Sequence, residues 1–334
     1  MMNASLGDMA SSYAQRRRNV AIKQDINRLT VELASGQVAD ARQVLAGNYS
    51  YLTGIERKMT ALSGYGIATA EAAHYASAMQ TSLGQIGDIT QNLSASLLVA
   101  GTGATGPSGA ETAAEARNAL SSMIGRLNAQ IAGRHMFSGT ATDQPPMANV
   151  DTLLDALATA MSGATTPDDM LAAAETWFDD PAGFAATIYR GSKDALSPFA
   201  LSHTEDVTLD IKATAPEMRE MLRLTAVVAI ADDAEFSLSE PELTELFSKS
   251  GQAMLVAQDD VISLQARVGF VEARIDEITA RNAAELTSLE YAKSALLAVD
   301  PFEAATKLEE AQFQLQSLYS VTVRMSQLSI VNFL

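Results

Sequence analysis

The sequence predicts a mainly α protein: an elongated antiparallel helical bundle or coiled coil formed by the N- and C-terminal arms, with a small inserted α+β domain. Three observations carry this. Aromatic residues are only 6% of the 334, while Ala, Leu, Gln and Glu recur, a mixture that favours helix over sheet. Apolar residues repeat by threes and fours along both arms, which puts them on one stripe of a helix. Between the arms, turn signals crowd the chain and the period changes.

The first arm opens with Ile22, Ile26, Leu29 and Leu33 at helical spacing, and Ser35-Gly36 ends that helix. Lys23, Asp25, Arg28 and Glu32 supply its polar face. Residues 1–40 are thus a terminal assembly helix, expected to be disordered in the monomer. Residues 41–140 form the N-terminal part of a helical rod. It carries Leu52, Ile55, Met59 and Leu62, then Ala76, Met79, Leu83 and Ile86. Gly64 and Gly66 each weaken a helix by about 1 kcal/mol relative to Ala, so a bend or break is expected between these runs. The glycine-rich stretch Gly101–Gly109 cannot continue a helix, and Leu120, Ile124, Leu127 and Ile131 resume the stripe after it.

Residues 141–215 are expected to form the small α+β domain. Pro145-Pro146, Pro167 and Pro181 break it into short pieces, and Val207, Leu209 and Ile211 alternate with polar residues as in a strand. Residues 216–299 return as the C-terminal part of the rod. Here Val261, Leu264, Val268, Val271, Ile275 and Ile278 alternate by three and four, an intramolecular coiled-coil seam. Leu286, Leu289 and Leu296 extend it only through an extra four-residue step at Asn282. Asp300-Pro301-Phe302-Glu303 then has the N-cap, first-turn proline and third-position acid of a helix start. Residues 300–334 are the second assembly helix, with Leu308, Leu315, Leu318, Met325 and Leu328 on its stripe. A stripe at each end must be buried against the other end or against a neighbouring subunit.

Composition excludes several functions. The 40 acidic against 23 basic residues give a net charge of -17, which disfavours nucleic acid and acidic membranes as partners. The absence of cysteine removes disulfides, thiol nucleophiles and thiolate metal sites. No apolar run approaches the roughly 20 residues of a bilayer crossing, and no cleavable signal peptide is expected at the N-terminus. Gly101-x-Gly103-x-x-Gly106 has the letters of a dinucleotide fingerprint, but it follows a helical stripe and has no acid about 20 residues on. His74, His135 and His203 are scattered, and the pairs Asp179-Asp180, Asp232-Asp233 and Asp259-Asp260 suit caps and solvated faces. Ser138 lacks the preceding Gly-x of a nucleophile elbow. No catalytic residue, cofactor or metal is expected.

The C-terminal run Ala311–Gln316 through Arg324–Leu334, ending Leu328-Ser329-Ile330-Val331-Asn332-Phe333-Leu334, resembles the C-terminus of bacterial flagellins and their junction relatives. Arg28-Leu29 through Glu32-Leu33-Ala34-Ser35-Gly36-Gln37-Val38 is similar to the end of the superfamily's N-terminal helix, with Gln37 where a basic residue is usual. Gly133-Arg134-His135-Met136-Phe137-Ser138-Gly139-Thr140, with Gln144-Pro145-Pro146, resembles a segment of the hook-associated protein 3 family, the hook–filament junction subunits. The resemblance covers about residues 15–145 and 240–334. It implies an extracellular structural subunit, exported by the flagellar type III apparatus and folding on assembly. Its implied partners are copies of itself, a neighbouring hook-associated protein, flagellin, and an export chaperone at the C-terminal helix. A flagellin proper is the nearest alternative, and a secreted helical enzyme or coiled-coil signalling module is a remote one.

Overall fold

A computed structural model describes residues 6–40, 49–103, 107–233 and 235–331, with side chains from residue 10 to residue 324 except Ser11. The chain divides into two compact units: one formed by Met1–Ser63 with Ala283–Leu334, the other by Gly64–Asn282. Both boundaries fall inside long helices.

The smaller unit contains α1 (Leu6–Ser35), the start of α2 (Ser50–Ala100), the end of α8 (Glu240–Leu297) and α9 (Pro301–Val331). The larger unit holds the rest of α2 and α8. Between them in sequence lie α3 (Gly109–Leu127), a hairpin of β1 (Gln130–Ile131) and β2 (Arg134–His135), α4 (Val150–Ala160), α5 (Pro167–Asp179) and α6 (Phe184–Thr187). A second hairpin, β3 (Phe199–Ala200) with β4 (Asp206–Val207), precedes α7 (Pro216–Ala229). The protein is mainly α, as its composition predicts.

Local chemistry starts these helices. Ser108 and Glu111 form a capping box on α3, Asn149 Oδ1 accepts the Thr152 N–H at 2.8 Å on α4, and Thr166 caps α5 ahead of Pro167. Hydrogen bonds from Ser108, Thr166 and Ser239 hold the carboxyls of Glu111, Asp169 and Glu242 below the ordinary range. The Asp300 carboxylate accepts the Phe302 and Glu303 N–H groups at 2.8 and 3.3 Å, which starts α9 where the sequence places it. Gly36, with φ of +69°, ends α1.

Several local expectations are corrected. Gly64 and Gly66 do not break α2: a Cβ at either would meet nothing within 4 Å, and the helix runs through both. Residues 41–48, where the second segment was expected to start, lie outside the described residues. Ile131 leaves the helical stripe because α3 stops at Leu127, and it pairs with Arg134 across an Ala132-Gly133 turn. Both turn residues have positive φ, as a two-residue hairpin loop requires. Only Asp206–Val207 form a ladder, yet Val207, Leu209 and Ile211 are all buried, so the alternation reports burial rather than sheet.

One core fills the larger unit, continuous from Ala72 on α2 to Ile278 on α8, and residues 141–215 contribute to it throughout. α7 lies at its centre, buried without a break from Met221 to Ala229 and packed on α3, where Thr225 Oγ1 meets Met123 S at 3.7 Å. α2 and α8 approach closely and antiparallel. A Cβ on Gly251 would stand 3.2 Å from Leu97 Cβ, and one on Gly101 would stand 2.8 Å from Ser248 Cα.

Candidate assembly surfaces

In the smaller unit, α1 and α9 lie side by side. Lys23 stands over the Tyr319 ring at 5.9 Å and Gln37 bridges Ala298, so the two helices run antiparallel. Their contact buries Ile22, Leu29 and Ala311, with Ile26, Leu308, Leu315 and Leu318 half-buried around them. The side chains of Met325 and Leu328 lie outside the described residues. The chain joins the pair through Val38 N–H to Leu297 O at 2.9 Å and Val299 N–H to Gly36 O at 3.0 Å. Nearer the chain ends, Gln15, Arg16, Asn19, Leu318, Tyr319 and Thr322 line a groove of about 500 Å³.

Leu33 does not follow its stripe; it is 39% exposed. Glu32, placed on the polar face by spacing, is buried in its stead. Its carboxylate accepts the Arg28 guanidinium at 3.1 Å and the Ala39 N–H at 3.1 Å, which satisfies the charge that burial would otherwise penalise. The signal for Glu32 was Arg28 four residues earlier. Nothing in the spacing showed that the chain would fold back to deliver the Ala39 amide.

In the larger unit, Val261, Leu264, Val268, Ile275 and Ile278 are buried in the main core and Val271 is half-buried beside them. The segment 133–140 is not a surface loop. Arg134 pairs with Glu71 at 2.7 Å, and His135 is buried with Nδ1 2.8 Å from Asn128 O. Met136 O accepts the Tyr75 hydroxyl at 2.9 Å, Phe137 is fully buried, and its carbonyl accepts the Ala213 N–H at 3.0 Å. Ser138 O accepts the Ser192 N–H at 2.8 Å, and Thr140 N–H reaches Asp194 O at 3.2 Å. Gln144 Nε2 donates to Arg190 O and Arg190 N–H to Pro146 O, each at 2.8 Å. The motif therefore stitches α2, the 190s loop and the run before α7 to one another.

Residues 252–334 match the family model of the bacterial flagellin C-terminal helical region. That region holds the whole 261–278 seam and all of α9, so the resemblance noted at the C-terminal run extends through both. A solved structure assigned as a flagellar hook-associated protein from Vibrio parahaemolyticus has a similar fold: TM-score 0.53 at 14% identity, covering 75% of this chain and 99% of that one. No curated protein matches. The family match is confined to residues 252–334, and the likeness to that structure is one of fold. Among the described residues no helix is long and apolar enough to cross a membrane.

The acidic pair at the end of α5 serves the scaffold. Asp179 pairs with Arg219 at 3.0 Å, and Asp180 Oδ1 accepts the Ala182 N–H at 2.8 Å. A buried tyrosine and a half-buried one set an alkaline limit. Burial pushes the Tyr75 hydroxyl up to about 12, opposed by the nearby Arg134 charge, and burial with the charge of Asp210 pushes Tyr189 to about 12 as well. Both values lie above the unfolded 10.0, so the stability they contribute is whole below pH 10 and is lost as pH rises through about 12. We predict that urea midpoints of the wild type fall across this window and that Tyr75→Phe flattens the fall. An identical slope in the variant refutes the assignment to Tyr75.

Proposed function

We propose that this chain is a flagellin-family junction subunit of the bacterial flagellum, connecting hook to filament. It is exported unfolded through the flagellar type III apparatus and completes its terminal unit on assembly. Its partners are copies of itself, a neighbouring hook-associated protein and flagellin, with an export chaperone holding the C-terminal helix before assembly. Ile22, Ile26, Leu29, Leu308, Leu315, Leu318, Met325 and Leu328 form the assembly stripes, with the exposed Leu33 facing a neighbour. The work is mechanical, without catalysis or cofactor, and the site of action is outside the cell.

The observation that carries this reading is how little the smaller unit covers of itself. Around its cluster of Ile22, Leu29 and Ala311 it leaves Tyr291, Phe302 and Phe313 exposed by 74, 82 and 70%. Large apolar side chains gathered on one unit mark a surface to be covered by other chains. Charge supports the same division. Residues 64–282 hold 29 acidic and 12 basic side chains, a net of -17, whereas the rest of the chain holds 11 of each. The unit richer in exposed large apolar groups for its size is electrically neutral, and the other carries the repelling, solubilising charge. The resemblance of residues 133–140 to the hook-associated protein 3 segment favours a junction subunit over flagellin itself.

A strain lacking the chain tests this. We expect hooks to remain and flagellin to be shed as monomer into the medium, with filaments restored by the wild-type chain. Normal filaments in the deletion strain overturn the proposal, and hooks without any flagellin in the medium support the filament-subunit reading.

A further inference from the structure

We propose that the β3–β4 hairpin is a clasp that fixes where the rigid part of α2 and α8 ends, so that opening of the terminal segments stops at residue 282. The spacing of the apolar seam calls for an apolar residue four positions after Ile278, and the chain has Asn282 there. Asn282 is buried, and its Nδ2 donates to the carbonyl of Leu201 in the hairpin turn at 2.8 Å. From the same turn, Glu205 reaches two arginines of α8, accepting from Arg274 Nη2 at 2.6 Å and from Arg281 Nη2 at 2.7 Å. Seven residues apart, those arginines share one face of the helix. The turn that presents these groups is held by the Leu201 and Ser202 N–H groups, both donating to Glu205 O at 3.0 Å. On its other side the hairpin packs the Phe199 ring against Tyr75 of α2 at 5.7 Å, and Tyr75 is anchored by its hydroxyl to Met136 O. Nine residues thus tie both long helices.

Burial changes where the clasp sits. Before it, the seam of α8 is buried at Ile275 and Ile278. After it, no residue from Ala283 to Leu296 is buried, and the boundary between the two units falls between Asn282 and Ala283. A regular helix has no internal stop: each turn is bonded like the last, and opening spreads until tertiary contacts make the next turn harder to release. A buried Asn and a shared carboxylate are poorer than apolar packing for bulk stability, but they can be satisfied in one register alone.

Residue-resolved hydrogen exchange on the full chain tests the clasp. In the wild type, amides of 264–278 should exchange about 100-fold more slowly than those of 286–297, with the step at 282. In Glu205→Gln/Asn282→Ala the step should move back along α8 to about residue 271, and protection should fall at Tyr75 and Ala76 on α2, while α3 and α7 keep theirs. If the double variant does not fold, Glu205→Gln alone, which preserves shape, is read the same way. A step that stays at 282, a uniform loss over residues 64–282, or a wild type without a step each overturns the clasp. None of these outcomes bears on the junction proposal, which rests on the filament phenotype.

Discussion

Phe137→Ala is expected to destabilise the larger unit by about 3–5 kcal/mol, the usual cost of emptying a fully buried aromatic site. The backbone here cannot collapse into the void. The carbonyls on either side, of Met136 and Ser138, are held by the Tyr75 hydroxyl and the Ser192 amide, and Phe137's own carbonyl is held by Ala213. With a urea m-value of about 2 kcal/mol/M, the midpoint for the helical signal should drop by about 2 M. A drop under about 0.5 M would show that residues 133–140 are not the stitch described. Phe137→Leu, which keeps most of the volume, should recover most of the loss.

Gly139→Ala should cost on the order of 3 kcal/mol although it adds a single methyl group. Gly139 has φ of +62°, a conformation that side-chain-bearing residues adopt at a penalty of about 1–2 kcal/mol. An added Cβ would also overlap the carbonyl oxygen of Asp194 and stand 2.8 Å from that of Ser192. Both carbonyls already accept hydrogen bonds, that of Asp194 from the Thr140 N–H at 3.2 Å and that of Ser192 from the Tyr189 hydroxyl at 3.0 Å, so neither retreats freely. Gly133 offers the control. It too has positive φ, +78°, but its Cβ would meet nothing within 4 Å, so Gly133→Ala should pay the backbone penalty alone. Equal losses in the two variants, measured by urea unfolding, would show that crowding at Gly139 contributes nothing.

Both predictions concern a motif whose letters were visible in the sequence and whose role was not. Its residues look like a surface identifier, with two glycines, an arginine and a histidine. From Arg134 onward they are in fact buried or bonded, because the partners that hold them come from Glu71, Tyr75, Ser192, Asp194 and Ala213, distant in the chain. The same holds for α7. Its proline start and apolar run were available, but from Met221 to Ala229 the helix is buried on all sides and has no polar stripe, so periodicity passed over it as a separate element.

The sequence by itself determined the helical class, the end of α1 at Ser35-Gly36, the start of α9 at Asp300-Pro301, and the faces of the seam that the core buries. These follow from neighbours within one or two turns: spacing, caps and glycine dihedrals act locally, and so they are written locally. Only the tertiary structure decided that Glu32 replaces Leu33 on the buried face, that residues 141–215 share one core with α2 and α8, and that Asn282 answers to a hairpin 81 residues away. Each of these turns on a donor or an apolar surface delivered by a remote segment, and whether a polar group is buried or exposed depends on whether that partner arrives.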